Sequence, residues 1–566
     1  MTKPNCLWLL LLASFASVHA ARDPTRILGP QAVNLWKLEK LHRARAVANN
    51  DVAQSPFTFQ AQDGDNSGQS DVPMAKVEFE PHWFEQPLDH FLNSTGEHKW
   101  QQRYWVNARH YKPGRNSPVI VLDGGETSGE DRLPFLDTGI VEILAKATGG
   151  LGVVLEHRYY GQSLPVKNFT TDSLRWLSNE QAAADSANFM ANVKFDGTEE
   201  DLTAPGTPWI YYGGSYAGAR AAHMRVLYPE LVYGAIASSA VTHAMIENWQ
   251  YMDIIRTSAD QKCSSRIESA IKTIDLLLEH PYPARMIKSQ FGLSDLKHNA
   301  DFASLLQTPL ERWQDKVWDP QVGSTAFDDF CTAVNNVWGF PVAVAAQDLG
   351  YGHPDRMVSL PGGLTIDFSI LAYARWIKKN VVSICPTEFT QDECFGTYDD
   401  AKFQDTQIDQ EWRLWQFQVC TQWGYFATAP PSYRPRIVSK LLTIDYASKI
   451  CKQAFPPGEH FQVPNLPNVT AVNALGDFGL SADRLAFIDG EVDPWLPNTP
   501  HSSYAPKRKD TLLRPFKLIP NAVHHYDEYG LRNMSDEPLE IQNVHKEMIE
   551  FVLEWLKDWK APSSTL

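Results

Sequence analysis

Residues 209–227 read Trp209-Ile-Tyr-Tyr-Gly-Gly-Ser-Tyr-Ala-Gly-Ala-Arg-Ala-Ala-His-Met-Arg-Val-Leu227: a short apolar run, a glycine-rich turn, then a helical stretch from Ala219. A serine on so tight a strand-to-helix turn stands above the C-terminal edge of a sheet. There its hydroxyl is exposed, and the amide of the next residue, Tyr216, faces a reacting carbonyl. The turn closes only if the residues two before and two after the serine are small. Here they are Gly213 and Ala217. Ala217 departs from the strict Gly-x-Ser-x-Gly pattern, but alanine still fits. An ordinary serine in a glycine-rich turn has the same local look, so the rest of the chain has to decide.

The flanking sequence supplies the sheet. Between about 77 and 245, Val119–Leu122, Gly152–Leu155, Trp209–Tyr212 and Ala235–Ala237 are short, continuously apolar and separated by helical stretches. Such runs suit parallel strands buried on both faces. The same texture returns after about 470 with Leu485–Ile488 and Phe516–Ile519. A closing helix over 539–559 carries Ile541, Val544, Met548, Val552, Trp555, Leu556 and Trp559 on one face. Between these halves, 246–470 reads as mostly helical and Trp-rich, and it holds all the cysteines but one. The expected organisation is therefore a signal segment 1–20, an N-terminal arm or propeptide 21–76, and an α/β core split into 77–245 and 471–566 around a helical insertion, 246–470. A helix carrying Val33, Trp36, Leu38 and Leu41 is expected inside the peripheral segment.

Two loops complete the chemistry. Strand 485–488 runs into Asp489-Gly-Glu-Val-Asp493-Pro-Trp495, and strand 516–519 into Pro520-Asn-Ala-Val-His524-His525-Tyr-Asp527. Ser, then Asp, then His, each just past a strand end, is the order of an α/β-hydrolase fold. A neutral histidine takes the serine proton, and a buried aspartate fixes its tautomer and steadies the imidazolium. On this reading Asp489 or Asp493 and His524 or His525 serve Ser215. Besides the Tyr216 amide the oxyanion needs a second donor, and Asp123-Gly124-Gly125-Glu126 after strand 119–122 places Gly124 or Gly125 there.

The 566 residues are 43% hydrophobic and 21% charged, an ordinary globular balance, and the net charge of −16 speaks against a nucleic-acid partner. Met1–Ala20 has one lysine, an apolar run of about 12 residues and a Val18-His19-Ala20 cleavage signature, which is a secretory signal peptide, too short for a membrane span. With Cys6 removed, Cys263, Cys331, Cys385, Cys394, Cys420 and Cys451 remain: an even set suited to three disulfides, of which only Cys385–Cys394 is close enough to guess. Asn93, Asn168, Asn468 and Asn533 head glycosylation sequons. No Cys-x-x-Cys or spaced His pair suggests a metal, and no cofactor is expected.

From about residue 80 onward the chain resembles the family of prolyl carboxypeptidase, dipeptidyl peptidase II and thymus-specific serine protease. The resemblance rests on Phe84–Phe91, Gln102–Trp105, Glu156–Pro165, Gly213–Gly218, Val492–Trp495 and Val523–His525, in that order. It implies Ser215 as nucleophile, Asp493 as acid and His524 as base. Trp495 is implied at a proline-accepting pocket, with Trp412, Trp415 and Trp423 as candidate further walls. Gln422 stands where relatives carry a glutamate, removing a charge that a cationic substrate end would meet. The resemblance implies a secreted (or vacuolar) serine exopeptidase acting on proline-containing peptides, on the carboxyl side of proline. Release of a C-terminal residue is favoured over release of an N-terminal dipeptide or internal cleavage, and a homodimer is left open. An esterase on the same fold and a non-catalytic proline-peptide binder are the readings from other classes.

Overall fold

The computed structural model describes residues 29–48, 79–92, 98–114, 117–336, 357–360 and 363–561. The signal segment and the Asn93 sequon lie outside them.

Eight strands form the central sheet: β1 (His82–Pro87), β2 (Lys99–Asn107), β3 (Val119–Asp123), β4 (Leu151–Leu155), β5 (Trp209–Gly214), β6 (Gly234–Ser238), β7 (Leu485–Gly490) and β8 (Phe516–Ile519). Their order across the sheet is β1-β2-β4-β3-β5-β6-β7-β8. Only β1–β2 and β2–β4 pair antiparallel, and every other pair is parallel. The β4–β3 exchange within an otherwise sequential, mostly parallel sheet, with helices on both faces, is the α/β-hydrolase arrangement. Why the strands read as unbroken apolar runs is now plain. Val119, Val121, Val153, Leu155, Trp209 and Tyr211 pack on one face. Ile120, Leu122, Val154, Ile210, Tyr212 and Ile236 pack on the other. Neither face meets water, so polar alternation has no place.

The helix Leu539–Lys557 covers the second face through Ile541, Val544, Met548, Val552 and Trp555, all buried; Leu556 and Trp559 are half-buried. Gly234 lets it lie close, since a Cβ there would fall 2.8 Å from the Trp555 ring.

Between β6 and β7 the chain is mainly helical and is cross-linked as Cys263–Cys331, Cys385–Cys394 and Cys420–Cys451. The short parallel pair Met245–Glu247 and Gly424–Phe426 ties the entrance of this region to its later part. The helix Pro30–Ala48 extends well beyond the expected apolar stripe. Although the sequence reads as peripheral there, this helix docks onto the helical region. Val33, Leu35 and Leu38 are buried, and the buried amides of Gln31 and Asn34 donate to the carbonyls of Phe395 and Gly396. Polar side chains that fasten to backbone carbonyls carry no hydrophobic signature, which is why this contact is silent in the sequence.

Asn468 and Asn533 are exposed, while Asn168 is half-buried with its side-chain oxygen accepting from Thr170 and Ser173. No helix among the described residues is long and apolar enough to cross a membrane.

Candidate active site

Strand β5 ends at Gly214, and the helix Tyr216–Leu227 begins one residue past Ser215. Ser215 has φ +60° and ψ −120°, a conformation that L-residues rarely adopt and that costs about 1–3 kcal/mol. The turn persists because its surroundings hold it. Ser215 N–H donates to Ser238 O at 2.9 Å, and Ala219 N–H to Ser215 O at 2.9 Å. A Cβ on Gly213 would lie 2.1 Å from the Ala217 carbonyl oxygen, and one on Gly218 would lie 2.5 Å from Ser238 O. Farther along the helix, Arg220 donates to Asp123 at 2.7 Å, and Tyr211 donates to the same carboxylate at 2.6 Å. This buried pair locks the helix to the end of β3.

The three residues named from the sequence come together. His524 Nε2 lies 2.9 Å from Ser215 Oγ, and His524 Nδ1 lies 2.7 Å from Asp493 Oδ2. Asp493 is wholly buried, and its other oxygen accepts the Trp495 amide at 2.9 Å. With Nδ1–H donated to the carboxylate, Nε2 is left as acceptor for the serine hydroxyl. The competing acid, Asp489, is elsewhere: it pairs with His501 at 2.6 Å. His525 turns away too, with its backbone N–H on Ser239 Oγ and its ring 3.1 Å from Glu528.

The second oxyanion donor needs a correction. Gly124 N–H is bonded to Leu155 O at 2.8 Å and Gly125 N–H to Asp123 Oδ1 at 3.0 Å, so both amides are committed within the protein. The glycines serve packing instead: a Cβ on Gly124 would sit 3.0 Å from Leu155 O, and Gly125 has φ +65°. Arg132 holds the loop through Nε–H to Gly124 O at 3.1 Å. The next residue, Glu126, is the one that reaches the pocket.

That pocket is lined by Glu126, Ser215, Tyr216, Val241, Trp415, Tyr425, Trp495 and His524. Trp495 packs against Tyr251 and Tyr425, ring centroids 5.3 Å apart in each case, and its indole donates to Gln314 at 3.1 Å. Of the other tryptophans singled out, Trp415 lines the pocket, whereas Trp412 and Trp423 are fully buried outside the lining. Gln422 is not in the lining; it accepts the Asn179 amide at 3.0 Å. Sequence reasoning missed Glu126 and Tyr425. Tyr425 has φ +65°, and its hydroxyl donates to Val241 O and His243 O at 3.0 Å each. Its only sequence signal is an aromatic run after Gly424.

Beneath the site, Tyr216 OH donates to His157 Nε2 at 3.0 Å and accepts from Gln418 at 2.8 Å. Burial and the nearby Arg220 charge drive the His157 pKa down to about 3, so this imidazole stays neutral. Burial pushes Asp527, which accepts from Tyr212 and Ser238, up to about 6. A carboxyl whose pKa is raised on folding stabilises the fold in its protonated form. That contribution is complete below pH 4, is lost as pH rises through about 6, and amounts to about 3 kcal/mol. His157 works in the opposite sense, withdrawing stability as pH falls below its ordinary value. Asp527→Asn is expected to isolate the carboxyl contribution. Its thermal stability relative to wild type should rise between pH 4 and 7, read as the difference between the two melting profiles; a flat difference would refute the assignment.

The chain matches the family described as Serine carboxypeptidase S28 over residues 86–548. It is a member of that family. The S28 chain is 40% identical to a "Probable extracellular serine carboxypeptidase" of Arthroderma benhamiae, across 85% of this chain and 68% of the relative. It is 27% identical to "Serine protease vicPa" of Bipolaris victoriae (85% and 89% covered) and 28% identical to the "Thymus-specific serine protease" of Mus musculus (85% and 88% covered). This S28 protein is thus a serine-type peptidase on an α/β-hydrolase fold.

Proposed function

We propose that this peptidase cuts on the carboxyl side of proline, releasing C-terminal residues from Pro-Xaa ends. The observation that carries the reading is the wall of Trp415, Tyr425, Trp495 and Val241 beside Ser215 Oγ. Flat aromatic faces around a small space suit a pyrrolidine ring.

On this account Ser215 Oγ attacks the prolyl carbonyl as its proton passes to His524 Nε2, and the imidazolium is stabilised by Asp493. The Tyr216 amide and, in place of the glycines, the Glu126 amide hold the oxyanion. His524 then returns the proton to the departing amine, and water repeats the sequence on the acyl-enzyme. Residues 246–470 act as a cap closing the acyl pocket. Secretion is supported by the N-terminal segment, by the three disulfides and by the extracellular relative. Asn168, Asn468 and Asn533 are the glycan sites that go with it.

One residue favours a second reading, release of N-terminal Xaa-Pro dipeptides: the Glu126 carboxylate in the pocket. A single peptide with Xaa-Pro at a free N-terminus, an internal proline and Pro-Phe at a free C-terminus separates the activities by mass spectrometry. Loss of phenylalanine is the expected product, dependent on Ser215. Loss of the first dipeptide would favour the second reading, and internal cleavage would indicate an endopeptidase. No cleavage by wild type across acidic and neutral pH would reject post-proline activity.

A further inference from the structure

The mechanism uses only the backbone N–H of Tyr216, yet the phenol of that residue is buried and bonded from two sides. On the core side, His157 Nδ1–H donates to the Arg158 carbonyl at 2.8 Å, which leaves Nε2 to accept the Tyr216 hydroxyl proton at 3.0 Å. Asn179 Oδ1 stands farther off, at 3.5 Å. From the helical region, Gln418 Nε2–H donates to the same hydroxyl at 2.8 Å. The Gln418 amide is itself oriented, because its Oε1 accepts from Tyr160 OH at 2.5 Å and its nitrogen is thereby left to face Tyr216. The phenol gives its one proton to the core and takes one from the insertion.

Helix geometry explains how the insertion achieves this. The α-helix Trp412–Gln418 passes directly into a π-helical turn, Val419–Trp423. On a regular helix, residues 418 and 422 would share a face with Trp415. The wider turn adds one residue, so Trp423 takes the place of residue 422. Trp415 and Trp423 accordingly flank the Tyr216 ring, with centroids 5.4 and 5.2 Å away, while Gln418 reaches its hydroxyl.

What this grip controls is the peptide unit between Ser215 and Tyr216, which carries the N–H aimed at the oxyanion. Ser215 holds that unit at φ +60° and ψ −120°, a strained conformation whose relaxation would swing the N–H and the Tyr216 Cα together. A ring fastened at its far end resists the swing. We propose that Gln418 is a positioning residue for the oxyanion donor, keeping the Tyr216 amide in line from the helical region while His157 keeps it in line from the core. The inference rests on the oxyanion role given above to the Tyr216 amide. Docking of the helical region then sets the rate of acylation as well as the shape of the pocket.

The test measures the second-order rate constant for fluorophosphonate labelling of Ser215, together with the fraction labelled at completion. It uses wild type, Gln418→Leu, Tyr216→Phe, their double variant and Tyr160→Phe. The phosphoryl oxygen of the probe takes the oxyanion position and the probe carries no proline, so the outcome is independent of the post-proline reading, which the peptide experiment decides. Misfolding lowers the labelled fraction, whereas a misaimed amide slows the molecules that do label. Gln418→Leu and Tyr216→Phe should each slow labelling about ten- to a hundredfold, up to the lower end of the roughly 10²–10³-fold cost of losing an oxyanion donor outright. The double variant should be no slower than the slower single one, because Gln418 acts through the phenol. Tyr160→Phe leaves Gln418 in place but frees its amide to turn, and should slow labelling by a smaller factor. It decides the question if Gln418→Leu does not fold, a wild-type rate then overturning the role. Wild-type rates in a folded Gln418→Leu, or losses that multiply in the double variant, overturn it too, as does an unlabelled wild type.

Discussion

Ser215→Ala is expected to lower kcat by about five to six orders of magnitude on any peptide the wild type cleaves, the scale seen when a triad nucleophile is removed. The geometry makes the reason specific. Ser215 Oγ is the atom 2.9 Å from His524 Nε2, and the turn aims it into the aromatic pocket. Without it no acyl-enzyme forms, and residual rate comes only from binding and the oxyanion donors. His524→Ala should cost about as much, and the double variant little more than either single one, because the two act as one unit. Asp493→Asn should cost about 10⁴-fold. The asparagine amide donates to Nδ1 where the carboxylate accepts, leaving Nε2 protonated and unable to take the serine proton. Steady-state kinetics on the three single variants and the Ser215/His524 double variant check this. Additive losses would contradict the coupling.

The largest effect on stability is expected from one of the smallest changes, Gly213→Ala. The added methyl would stand 2.1 Å from the Ala217 carbonyl oxygen and 2.5 Å from its carbon, both backbone atoms of the first turn of the helix. A flexible side chain can move aside, but this backbone cannot move without shifting Ser215, already held at positive φ. Relief requires the turn to open, which breaks the Ser215 and Ala219 backbone hydrogen bonds. A loss of about 3 kcal/mol or more is expected in denaturant titration, the scale of severe backbone and overpacking changes. Activity should fall with it even under conditions where the variant remains folded. Ala217→Gly, which adds no atom, should cost about 1 kcal/mol and keep its activity. Equal stability of Gly213→Ala and wild type would mean that the turn is looser than its contacts imply.

Much of this arrangement is legible along the chain, and the exceptions share a cause. Strands β3 to β7 announce themselves because both faces are buried, and Phe516–Ile519 is found in full. Topology brings the strand-end loops of Asp489 or Asp493 and of His524 or His525 to Ser215, and the family resemblance is what singles out Asp493 and His524. The hairpin β1–β2 at the sheet edge does not announce itself, since β1 alternates partly exposed positions and carries His82, Glu85 and Pro87. The oxyanion loop is legible as a loop but not as a set of free amides. Whether Gly124 N–H is available depends on Leu155, a residue on a neighbouring strand. Glu126 hides for a similar reason, because a lone acid after two glycines acquires meaning only when the fold sets it in one pocket lining with Trp415 and Tyr425 of the helical region. Likewise, only the turn of the helix Trp412–Gln418 decides that Trp415 reaches the pocket while Trp412 stays in the core.

The central claim is that Ser215 is the nucleophile, activated through His524 by Asp493, and it is tested most directly by reaction with a fluorophosphonate followed by mass mapping of the adduct. One adduct is predicted, on the peptide containing Ser215, absent from Ser215→Ala and much slower in Asp493→Asn. An unlabelled wild type, or an adduct on another residue that persists in Ser215→Ala, would contradict it.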